Sequence, residues 1–141
     1  MRRGFSLTEL MLVLAVTGLL LGIAIPHLAT MIDQIEVRSA ATHLVTAHQR
    51  ARMMAVARGQ VLVLTIAPTM LDIRTRGGTA TLWAEQGPAA TRVSLQGPAK
   101  QFIFSPEGLT LGLSNATLRL SRGEASRTVV ISRLGRARML R

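Results

Sequence analysis

Cysteine is absent from this 141-residue sequence, which excludes structural disulfides, thiolate nucleophiles and cysteine-ligated zinc or iron–sulfur sites together. Aromatic side chains are nearly as scarce. There is no Tyr, and Trp83, Phe5, Phe102 and Phe104 are the whole set, so the stacking platform of single-strand nucleic-acid binders is missing. Acids number seven against seventeen Lys and Arg, and they are scattered, with no acid–base pair or triad spacing among them. His27, His43 and His48 lie in or beside one helical stretch, and positions 43 and 48 point in different directions on a helix. No Gly-rich loop follows a strand and opens a helix, since Gly77-Gly78 reads as a hairpin turn. These absences predict a protein that is not an enzyme, with no catalytic residue, no metal and no cofactor.

What is present is apolar and basic. Hydrophobic residues make up 48% of the chain and charged residues 17%, with a formal net charge of +10; such a balance argues against a solvated disordered chain and allows one modest domain. Arg supplies sixteen of the seventeen cations, so the basicity does not titrate away and favours forked recognition of phosphate or carboxylate.

The first thirty residues carry a membrane signal. Arg2 and Arg3 precede Gly4, and positions 5–25 contain Glu9 as their only charge, a helix long enough for roughly 30 Å of hydrocarbon. The leading arginines predict a cytoplasmic N-terminus. An ordinary secretory signal, cut near Gly22 or Ala24, is the alternative. It leaves Glu9 unexplained, because a carboxylate at mid-bilayer costs on the order of 2–3 kcal/mol and is seldom present without a partner.

The string Arg3-Gly4-Phe5-Ser6-Leu7-Thr8-Glu9-Leu10 before an apolar helix resembles the class III leader of type IV pilins and type II secretion pseudopilins. The resemblance implies that a prepilin peptidase cuts after Gly4 and methylates the new N-terminal Phe5. It also implies that Glu9 serves assembly and that Pro26 stands where such chains carry a helix-bending proline. Physics supplies a reason for Glu9 beside it. Cleavage exposes an amine on Phe5, one helical turn away, and a buried carboxylate is tolerable when such a cation is close, on its own chain or on a neighbour.

Beyond Pro26, Val37, Ala40, Ala41, Leu44, Ala47, Ala51, Met54 and Ala55 recur at spacings of three and four, the mark of one buried helix face. The helix is expected over about residues 6–58, bent or interrupted for one turn at Pro26 and stopped at Gly59. After it come short runs rich in Val, Ile, Leu and Thr, separated by Gly and Pro turns. Strands are expected at 61–66, 69–75, 79–83, 91–95, 101–104, 116–120 and 128–132. Alternation such as Leu118 and Leu120 against Thr117 and Arg119 predicts mainly antiparallel sheets with one solvated face. The fold class is therefore α+β: a long N-terminal helix, its first half transmembrane, packed on a β-rich head. The expected organisation is a leader over 1–4, a membrane and filament-core helix over 5–28, an amphipathic helix over 29–58 and a head over 59–141.

The head extends the resemblance. Phe102-Ile103-Phe104-Ser105-Pro106-Glu107-Gly108, two further strands, and Gly135-Arg136-Ala137-Arg138 are similar in order to the GspH/FimT group of minor pilins and pseudopilins. Phe102 and Phe104 also read as core residues on one strand face, and Gly108 and Gly135 as turn residues needing a permissive backbone.

Charge is concentrated at the C-terminus. Residues 119–141 hold seven Arg against Glu124, a net of +6, whereas the whole chain without Arg2 and Arg3 carries +8. This is the footprint of a polyanion surface. Members of the group associated with DNA uptake carry Gly-Arg-x-Arg, which Gly135-Arg136-Ala137-Arg138 resembles, and Arg127 and Arg133 lie nearby in sequence. An edge kept basic against aggregation, or one facing acidic subunits or anionic lipid, accounts for the same charge. The partners implied are prepilin peptidase, other pilins or pseudopilins, inner-membrane lipid and, as the alternative function, DNA. The expected location is a single pass of the bacterial inner membrane with the head outside it, in either a type II secretion or a type IV pilus machine.

Overall fold

The computed structural model describes residues 6–112, 115–132 and 135–140. Among the described residues the element order is one long helix followed by nine strands: α1 (Leu7–Arg58), β1 (Leu62–Ile66), β2 (Met70–Thr75), β3 (Thr81–Gln86), β4 (Ser94–Gln96), β5 (Lys100–Phe104), β6 (Thr110–Leu111), β7 (Ala116–Arg122), β8 (Ala125–Ile131) and β9 (Ala137–Leu140). By contact density the chain divides into Met1–Ile32 and Asp33–Arg141. In the first unit every described residue is exposed, and the apolar stretch is long enough to cross a membrane. α1 runs through Pro26 without a break, so the expected interrupted turn is absent. A proline costs a helix one donor and crowds the preceding carbonyls, and here the flanking turns keep the ladder running on both sides.

In the second unit the helix buries Val37, Ala40, Ala41, Leu44, Ala47, His48, Ala51 and Ala55. Five of these are Ala, so the helix backbone lies close to the sheets it covers. One sheet has the order β3-β2-β1-β5-β6 and the other β4-β7-β8-β9, with all strand pairs antiparallel among the described residues. Registers such as Leu64 with Ile73 and Phe102, and Leu118 with Val129, put apolar partners on the inner faces. There they share one core with the helix.

Strand bounds shift from those expected, by three residues at the start of β8, Ala125–Ile131 instead of 128–132, and in two further places. The third strand is Thr81–Gln86 instead of 79–83, because an edge strand tolerates Glu85 and Gln86 and lacks the apolar signal at its end. Residues expected as a strand over 91–95 divide into a 3₁₀ turn, Pro88–Thr91, and the short β4. Two strands were not expected: β6, of two residues, and β9, whose Ala-Arg-Met-Leu has no β-branched residue.

Candidate functional site

Three places carry the chemistry that the sequence singles out: the start of the helix, the outer face of the four-stranded sheet, and a groove beside the helix.

At the helix start, Ser6 and Glu9 have the spacing of a capping box. The Glu9 backbone N–H donates to Ser6 Oγ at 3.2 Å, and Glu9 lies in the first turn, where a carboxylate favours the positive end of the helix dipole. Glu9 therefore has a local role that sequence reasoning missed, although Ser-x-x-Glu was its signal. Gly4 and Phe5, the expected cleavage and methylation residues, lie outside the described residues. Pro26 is exposed on the same helix.

On the four-stranded sheet, cross-strand partners share a face. Arg119 pairs with Thr128 and Thr128 with Leu140, while Thr117 pairs with Val130 and Val130 with Arg138. The Ser132 N–H donates to the Arg136 carbonyl at 2.9 Å, which places Arg136 on this face too. Arg119, Arg136 and Arg138 are all on the solvated side, and no acid stands among the strand positions that share their face. Spacing along β9 puts Arg136 and Arg138 about 7 Å apart, and Arg119 is two strands away, about 10 Å across the sheet.

Arg127 does not join them. It pairs with Leu120, whose side chain is in the core, so Arg127 belongs to the opposite face; this corrects its grouping with Arg136 and Arg138. Its Nη1 donates to the Ser126 carbonyl at 3.0 Å. Arg122 is likewise committed, with Nε 2.8 Å from Asp33 Oδ1 and Nη1 donating to the Thr91 carbonyl at 2.8 Å. Arg133 lies outside the described residues. Gly135 is buried at φ 71, and a Cβ there would lie 2.9 Å from Thr110 Cγ2, so the turn before β9 accepts no side chain without displacement.

The groove, of about 310 Å³, lies between helix residues Ser39, Ala40 and His43 and the turn at Gly87 and Pro88. His43 Nδ1 and Glu85 Oε1, 3.0 Å apart, stand in its wall. His48 is instead a core residue, 1% exposed, set edge-on to Phe102 and Phe104 at 5.6 and 5.0 Å. Among the described residues, no group of three His, Asp or Glu could hold a metal.

The comparisons with known proteins agree on one family. The family described as Type II transport protein GspH matches residues 40–135, and the Prokaryotic N-terminal methylation motif matches residues 1–25. The Pilin-like protein PilA1 of Thermus thermophilus is 33% identical, with 98% of each chain covered. The crystal structure of the type IV minor pilin FimU of Pseudomonas aeruginosa has the same fold, at a TM-score of 0.60 and 20% identity, covering 75% of this chain and 89% of that one. A second crystal form of FimU gives 0.57 at 19% identity, covering 74% and 92%. From its helix, its two sheets and these matches, the chain belongs to the GspH/FimT family of minor pilins and pseudopilins, structural filament subunits and not enzymes.

Proposed function

We propose that the chain is made with a leader over 1–4, which prepilin peptidase removes after Gly4 on the cytoplasmic side, methylating Phe5. Residues 5–28 then hold it in the inner membrane, residues 29–58 form the amphipathic half of the helix, and the head over 59–141 lies outside. From there it enters a type IV pilus or a type II secretion pseudopilus beside other pilins or pseudopilins. The observation that carries this reading is the methylation motif over residues 1–25, running into an apolar helix whose described residues up to Ile32 are all exposed and hold one carboxylate.

In this reading Glu9 meets the free amine of Phe5, its own or a neighbour's, as the subunit docks. Pro26 supplies a bend that the filament uses. Because the Glu9 carboxylate also sits in the first turn of the helix, the informative variant is Glu9→Gln, which keeps the size and hydrogen-bonding shape of the side chain and removes the charge. Glu9→Gln and Glu9→Ala are both expected to insert into the membrane and to be lost from sheared filaments. Normal incorporation of Glu9→Gln would remove the charge from the assembly account.

A second reading rests on the acid-free face that carries Arg119, Arg136 and Arg138. With few aromatics, such a face binds duplex DNA through phosphates, weakly and without base preference. The full chain in detergent, titrated with duplex at two salt concentrations, is expected to lose affinity steeply as salt rises. It should also lose affinity on Arg136→Ala with Arg138→Ala; an affinity indifferent to both changes contradicts this reading.

A further inference from the structure

The last strand, β9, closes the four-stranded sheet, and none of the described strands pairs with its other side. The bond from Ser132 N–H to the Arg136 carbonyl sets the alternation of the ladder. Residues 136, 138 and 140 face β8 with their backbone groups, and the N–H and C=O of Ala137 and Met139 point to the open edge. Such an edge is a template for another strand. Its side chains are sorted by face: Ala137 packs against the core, Met139 is 37% exposed beside it, and Arg136 and Arg138 stand on the outer face.

We propose that this edge takes an extended, acidic strand from a different subunit of the filament. An antiparallel strand added here bonds to Ala137 and Met139 and meets Arg136 and Arg138 as non-hydrogen-bonded pairs, where side chains come closest. The complementary sequence alternates Asp or Glu, opposite the two arginines, with apolar residues that continue the core beyond Met139. A second copy of this chain is unsuited, because pairing β9 with itself brings two basic strands together with no acid on either. The inference rests on membership of a filament-forming family; it does not depend on leader cleavage, and it competes with the DNA reading for Arg136 and Arg138.

The test is photocrosslinking in cells that assemble the filament, with a benzophenone side chain at position 139. The expected adduct joins β9 to a strand of another subunit that carries Asp or Glu within two residues of the junction. Arg138→Glu, a change at an exposed side chain, is expected to lower the yield about tenfold, as about 1.4 kcal/mol of lost pairing dictates; Arg138→Lys should retain it. Ala137→Pro, which deletes an open-edge donor and leaves the β8 ladder whole, should lower the yield as well. An adduct on a second copy, on DNA or on a segment without acids overturns the proposal. So does assembly of normal filaments with no adduct, which leaves the family role intact; exclusion of the chain from filaments contradicts both.

Discussion

His48 shows how a single residue couples this core to pH. Burial, and secondarily the Arg52 guanidinium, lower its pKa from 6.5 to about 4, and its Nε2 is buried with no hydrogen-bond partner among the described residues. Above pH 6.5 the imidazole is neutral in both the folded and the unfolded chain. As pH falls from 6.5 towards 4 the unfolded chain takes up a proton that the folded one does not, so stability declines over that window and levels off below it. The full loss is on the order of a few kcal/mol. His48→Leu, which keeps an apolar contact with Phe102 and Phe104, is expected to flatten the unfolding midpoint between pH 7 and pH 4.5; an unchanged slope would assign the pH dependence to another group. At Gly108, φ is 76 and a Cβ would lie 2.9 Å from Val56 Cγ2. Gly108→Ala is therefore expected to cost about 1–2 kcal/mol in denaturant unfolding, from left-handed backbone strain and contact with the helix.

At the scale of elements, the helix was the most legible part because its periodicity is long and its small residues repeat. Val37 through Ala55 reads directly as a buried face, and the structure adds His48 to it and leaves Met54 half-buried at its edge. Small size is what that face requires. Ala51 is fully buried, so Ala51→Leu is expected to push the helix off the sheets and destabilise by about 1–3 kcal/mol, whereas the same change at exposed Arg52 should be nearly neutral in the same melt. The strands were legible where alternation and β-branching coincide, as in β1 and β8. They were illegible at the edges, where selection for a buried face is weakest: β6 is too short to show a period, and β9 reads as a Gly-Arg tail. The Ser6 cap on the Glu9 N–H was signalled by Ser-x-x-Glu in the sequence but overshadowed by the leader that contains it.

For the whole molecule, the excess of Arg divides into groups that the linear sequence could not separate. Arg2 and Arg3 belong to the proposed leader. Arg122 is tied to Asp33 and the Thr91 carbonyl, Arg127 turns to the other face, and Arg119, Arg136 and Arg138 remain together on the outer face of one sheet. The candidate surface was thus half legible, since proximity in sequence named Arg136 and Arg138 but register was needed to add Arg119 and remove Arg127.

The central claim is that this chain becomes a filament subunit through the processing of its N-terminus, and the mature terminus itself tests it. Mass spectrometry of the protein purified from membranes is predicted to find a chain beginning at Phe5 with an N-methyl group. An intact leader, or a terminus near Ala24, would contradict the account.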